Sequence, residues 1–160
     1  MIDPLREMFN YHYWATFTLF DHLATLPEER LNETVPGTAG TIHETLAHIV
    51  RAEKLYLSLM HDEGRPPRES RTYSLSELRD QFAAQTKQWE SILDHLDDFD
   101  PTLPAESDHG RVPHVRNLLL TQAIHHGNDH RTHICTILGA TGQPVPDMDE
   151  WSYWFSDKHE

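Results

Sequence analysis

Gln122-Ala-Ile-His-His-Gly-Asn-Asp-His-Arg-Thr-His133 reads as part of one continuous helix and carries four histidines. His126 and His130 stand four residues apart, so on an α-helix they lie about 40° apart round the axis and about 6 Å apart along it. Stepping about 100° per residue from His126, the apolar arc runs through Leu119, Ala123, Ile134, Ile137 and Leu138. His130 falls inside that arc, His126 at its edge and His133 just outside it. His125 points roughly 100° away. An imidazole aimed at a core has to be ligated or hydrogen-bonded, because burying an unsatisfied polar group is costly. His126 and His130 are therefore the pair able to meet on one metal ion.

A two-histidine site needs a further ligand, and His48 in Thr41-Ile-His-Glu-Thr-Leu-Ala-His48-Ile-Val-Arg-Ala-Glu53 is the best candidate. Thr41 and Glu44 have capping-box spacing. Behind them the expected apolar arc is Ile42, Ile49, Ala52, Leu55, Tyr56, Leu59 and Met60, with His48 within it near one edge. Three neutral imidazoles with an open position suit catalytic zinc, and imidazole also suits nickel, iron and copper. Rival motifs fail on spacing. His43-Glu44 begins like a zincin signature, but His48 comes five residues on, about 140° round the helix. The single Glu-x-x-His, Glu106 to His109, falls in a Pro- and Gly-flanked loop, which excludes a di-iron bundle needing two such motifs.

Four long helices follow from periodicity and caps. The first has Asp3 as cap and Pro4 at the first helical position, then Leu5, Met8, His12, Ala15, Leu19, His22 and Leu26 on its apolar side. The second runs from about Ile42 to Met60, ahead of Gly64 and Pro66-Pro67. The third opens on the capping box Ser74 and Glu77 and continues through Leu78, Phe82, Gln85, Trp89, Ile92 and Leu96. The fourth begins near Pro113 and ends at Gly139 as a carboxyl-terminal cap. No strand is expected. The predicted fold is all-α, an antiparallel four-helix bundle with the metal between helices two and four. The connections 27–40 and 98–112 are long enough to be functional. The tail from Gly142 onward (142–160) holds Trp151, Tyr153, Trp154 and Phe155, an aromatic cluster expected to fold back on the bundle, lining the pocket or a dimer seam.

At 160 residues, one domain spanning 1–160 is expected. The formal net charge of -13 argues against nucleic acid, whose nonspecific affinity comes from clustered Lys and Arg. Neither a basic apolar leader nor a run of 18 or more apolar residues is seen, which points away from secretion and membrane insertion. The single cysteine, Cys135, allows no internal disulfide and suits the cytoplasm.

The segments Tyr11-His-Tyr-Trp-Ala15, Leu46-Ala-His48 with Glu53, and His126-Gly-Asn-Asp-His130-Arg131 resemble those of the DinB/YfiT-like superfamily, regarded as metal-dependent enzymes. With length and helix order, the likeness covers nearly the whole chain, and its final segment is the most specific. It implies that His48, His126 and His130 bind a divalent metal, zinc, nickel or iron. Gln122 and His133 depart from the family pattern. The resemblance also implies a transferase acting on a small-molecule substrate with a low-molecular-weight thiol, and a homodimer.

Other readings stand beside this one. A metal-dependent hydrolase needs the same three ligands. A noncatalytic metal- or ligand-binding stress-response protein would have a closed site, with His12 or His133 as fourth ligand. A metal-free helical dimerisation module would need no ligands. Glu44 and Asp129 are candidates for acid or base work beside the metal, although Glu44 also reads as a cap and Asp129, like Glu53, as a helix-surface charge. His12 reads as a hydrogen-bonded core histidine, a residue behind the ligands or a substrate contact. Trp14 and Trp89 read as core, Cys135 as a small buried residue, and Arg131 as the partner of a carboxylate.

Overall fold

A computed structural model of the chain describes residues 3–100, 104–107, 110–112 and 115–156. Its helices are α1 (Pro4–Leu23), α2 (Ile42–Met60), α3 (Leu75–Asp94), α4 (Val115–Ala140) and a short α5 (Glu150–Trp154), with single 3-10 turns at Glu28–Asn32 and Leu96–Asp98. The all-α fold class with four long helices is as expected. The 98–112 connection departs from expectation by holding a small antiparallel pair, β1 (Ala105–Ser107) and β2 (Gly110–Val112), in the register Ala105↔Val112. Strands this short carry no alternating apolar pattern for a sequence reading to find. The loop candidate His109 lies outside the described residues.

The predicted helix starts form as the chemistry requires. The Asp3 carboxylate accepts from the amides of Leu5 (3.0 Å) and Arg6 (3.4 Å) ahead of Pro4. Both capping boxes close: Glu44 accepts from the Thr41 amide at 2.9 Å and Thr41 Oγ1 from the Glu44 amide at 3.1 Å, and Ser74 and Glu77 pair in the same way. One helix end, that of α4, differs from expectation, while α2 ends at Met60 as expected. Helix α4 passes through Gly139 and stops at a Schellman turn on Gly142, whose φ is +76°. There Gln143 N–H reaches the Leu138 carbonyl at 2.8 Å and Gly142 N–H the Gly139 carbonyl at 3.3 Å. Helix α2 ends in the same way on Asp62 (φ 58°), with Glu63 N–H donating to the Ser58 carbonyl at 2.9 Å.

The chain divides into two compact units, 1–48 with 127–160, and 49–126, the boundaries falling inside α2 and α4. In the first unit Phe9, Leu19, Phe20 and Leu23 of α1, Ile42 and Leu46 of α2, and Ile134, Ile137 and Leu138 of α4 are buried. Met8, expected inside, is 45% exposed and Phe9 takes the inward place. The tail lies on α1: Tyr153 Oη donates to Glu7 Oε1 at 2.8 Å, Tyr11 Oη donates to the Met148 carbonyl at 2.8 Å, and the His22 ring meets the Pro144 carbonyl at 2.8 Å. Burial, then the Glu7 carboxylate, holds the Tyr153 hydroxyl far above its ordinary pKa. Of the tail's aromatic residues only Tyr153 is buried, whereas Trp151 and Phe155 are exposed and stack on each other.

In the second unit Leu78, Phe82, Trp89 and Ile92 of α3 are buried with Val50, Tyr56 and Met60 of α2 and Leu119 and Ala123 of α4. Glu53 is fully buried, not on the helix surface as expected, and accepts from Trp89 Nε1 at 2.6 Å. The inward stripe of α2 is Leu46, Ile49, Glu53, Tyr56 and Met60, at helical spacing. The sequence reading centred that arc too far toward Leu55 and Leu59, which are only partly buried. Arg116 donates to the Met60 carbonyl (3.1 Å) and the Asp100 carbonyl (2.9 Å), satisfying the end of α2.

Candidate metal centre

With the α2 stripe centred on Glu53, His48 falls outside it and is exposed, although it was expected at the edge of the core. Its ring nevertheless meets that of His130 edge-on, 4.7 Å between centroids and 81° between planes. His130 is partly buried on α4. Burial first, and the neighbouring rings of His48 and His133 next, push its pKa below the ordinary histidine value, while Asp129 acts in the opposite sense. At neutral pH its imidazole is therefore neutral, the form in which histidine ligates a metal.

His126 sits one turn before His130, and α4 runs unbroken between them. Its ring stands edge-on to Tyr56 at 5.7 Å, and Gln122 Nε2 reaches the Tyr56 hydroxyl at 3.4 Å. One ligand nitrogen from each of His48, His126 and His130 lies within 4.8 Å of the other two. The structure thus brings together the three histidines singled out from the sequence. His133 adds a fourth ring, 5.5 Å from His130. His125 is exposed. Three imidazoles are a donor set suited to zinc, nickel or iron, and they leave a coordination position open.

The remaining candidates separate by position. Glu44 is exposed and engaged in capping its own helix, while Asp129 is exposed next to His130 in sequence. Cys135 is half-buried, and burial raises its thiol pKa, which is opposite to what a nucleophile needs.

Behind the histidines lies a network that the sequence reading missed. Arg131 is buried, and its Nη1 donates to His12 Nδ1 at 3.0 Å and to Thr16 Oγ1 at 2.9 Å. Thr16 Oγ1 in turn donates to the His12 carbonyl at 2.8 Å. Acceptance at Nδ1 leaves the His12 proton on Nε2. Arg131 therefore engages a histidine and a threonine of α1. Gly127 makes this possible: a Cβ there would stand 2.3 Å from His12 Cε1 and 2.7 Å from its Nδ1. A glycine inside a helix costs about 1 kcal/mol relative to alanine, and that cost was the available signal that another group approaches the backbone here.

No helix among the described residues is long and apolar enough to cross a membrane. No curated protein sequence matches the chain. In fold it is similar to a crystallised DinB-like protein from Bacillus cereus ATCC 10987, with a TM-score of 0.65 at 21% identity, covering 91% of this chain and 96% of that one. That likeness supports the four-helix-bundle architecture. The match to the DinB family extends over residues 1–160, and the chain belongs to that family.

Proposed function

We propose that the protein is a metal-dependent enzyme in which His48, His126 and His130 hold one divalent cation. The observation that carries this is the convergence of their three ligand nitrogens within 4.8 Å. When bound, such a cation lowers the pKa of a coordinated water to about 7 or deprotonates a thiol outright. The chain's own contribution is positional. His130 presents a neutral ring, and Tyr56 with Gln122 fixes the side of His126. The Arg131–His12 network holds the helix that carries both. Asp129 and His133 flank the ligands, and Glu44 is left to its cap.

Within this reading the most concrete activity is transfer of a low-molecular-weight thiol to a small electrophilic substrate by a cytoplasmic homodimer, and hydrolysis is the alternative use of the same site. A noncatalytic metal clasp is the second reading, favoured by the His133 ring beside His130. Elemental analysis of untagged protein tests the proposal. We expect about one equivalent of transition metal per chain, lost in His126→Ala and in His130→Ala with helix content preserved by circular dichroism. Full retention of metal in both variants contradicts it. A His133→Ala variant that loses metal as completely as the other two favours the clasp over the open site.

A further inference from the structure

Residues 142–156 of the carboxyl-terminal tail are fastened along α1 at three points. The His22 ring meets the Pro144 carbonyl at 2.8 Å, Tyr11 Oη donates to the Met148 carbonyl at 2.8 Å, and Tyr153 Oη donates to Glu7 Oε1 at 2.8 Å. Two of those points close on Tyr11. The buried Tyr153 ring stands edge-on to it, 5.7 Å between centroids and 74° between planes, and packs on Trp14 at 5.4 Å.

The same Tyr11 faces Arg131 of α4. The guanidinium carbon lies over the Tyr11 ring, 5.9 Å from its centroid, within reach of a cation–π attraction. Burial raises the Tyr11 pKa, and the charge and hydrogen bond of Arg131 work against that rise. Arg131 Nη1 is held in turn by His12 Nδ1 at 3.0 Å and Thr16 Oγ1 at 2.9 Å. Arg131 directly follows His130, so the seat of its side chain fixes how far α4 is turned at the ligand. A side-chain tip about 5–6 Å from a helix axis moves about 1 Å when the helix turns by about 10°. Metal–nitrogen distances tolerate only about 0.2 Å. A small change at Arg131 is therefore a large one at His130.

We infer, resting on the three-histidine reading of the centre, that the tail is a strap that seats Arg131 through Tyr11 and so sets where the His130 ring meets the cation. Tyr11 is a positioning residue for that centre, acting through Arg131 and not by coordination. The link runs unbroken from Met148 and Tyr153 to Tyr11, Arg131 and His130, all within the first unit.

The test is cobalt(II) titration of the intact chain. It is read as affinity against a competing chromophoric chelator and as visible d–d absorption at saturation, which reports the geometry round the ion. Tyr11→Phe keeps the ring but loses the hydroxyl's bonds, and Tyr153→Ala unfastens the tail from Tyr11. Each should bind cobalt about threefold to tenfold more weakly, the loss of one hydrogen bond or cation–π contact, and with an altered spectrum. Tyr153→Phe, which keeps the ring on Tyr11, should restore the wild-type spectrum. Ile137→Val, a packing change at a buried position of α4, lowers stability and should leave the spectrum as it is. Wild-type affinity and spectrum in both Tyr11→Phe and Tyr153→Ala overturn the inference, and so does a matching spectral change in Ile137→Val, which marks a merely structural effect. A wild type that takes up no cobalt overturns the three-histidine reading itself, and the strap with it.

Discussion

Gly127 lies so close to the imidazole of His12 that a single methyl group added to it would come within 2.3 Å of Cε1. No side chain fits without moving one helix or breaking the Arg131–His12 bond. Gly127→Ala should therefore destabilise the protein by about 1–3 kcal/mol, as overpacking does, although alanine is the better helix former. Urea unfolding measures this, and an unchanged or raised midpoint would contradict it. The Gly127→Ala, His12→Ala double variant should recover part of the loss, because the two effects share one contact.

The buried carboxylate of Glu53 relies on the indole N–H of Trp89 at 2.6 Å. Trp89→Phe keeps an aromatic ring but removes that donor. The expected loss is about 2–3 kcal/mol, combining the hydrogen bond to a charged group with a partly filled space. In Trp89→Phe, Glu53→Gln should cost less than it does in the wild type, which thermal unfolding of the four proteins resolves.

Acid should weaken the fold by a nameable route. The Glu77 carboxyl is held below its ordinary pKa first by the Ser74 amide, Asp149 by the Ser152 amide, Glu69 by Lys54 and then Tyr73, and Glu33 by Thr141 and then Arg30. A carboxyl whose folded pKa is depressed contributes stability that is present above the unfolded value and lost as pH falls through the folded one. Stability should therefore be level near neutrality and decline below about pH 4. In the alkaline direction Tyr153, whose pKa is raised, loses its contribution as pH climbs past its ordinary value of about 10. Urea midpoints measured across pH 3 to 12 by the same method check both arms, and a midpoint that rises on acidification contradicts the first.

Cys135 is half-buried with a raised thiol pKa. Its reaction with an aromatic disulfide reagent at pH 8 should be at least about tenfold slower than that of the unfolded chain, following its smaller thiolate fraction and access. Equal rates in the folded and unfolded protein would show the thiol to be free.

How much was legible follows from which forces act locally. Asp3, Thr41 with Glu44, and Ser74 with Glu77 announce helix starts because a cap is built from residues within three positions. The convergence of His126 and His130 follows from helix geometry alone. His48 joined them only through the family resemblance and its own helix phase, and it is more exposed than that phase implied. Glu53 misled because a charge reads as surface, and its burial depends on Trp89, 36 residues away. Arg131 and His12 are 119 residues apart, beyond any periodic pattern. The β1–β2 pair escaped because three-residue strands leave no repeat.

The unequal placement of the tryptophans gives the molecule its own optical probes. Trp89, 1% exposed in the second unit, should emit toward the blue and resist iodide, whereas Trp151, 71% exposed in the first, should emit toward the red and be quenched readily. Unfolding of residues 49–126 can thus be timed separately from loosening of the carboxyl-terminal segment, with no label attached.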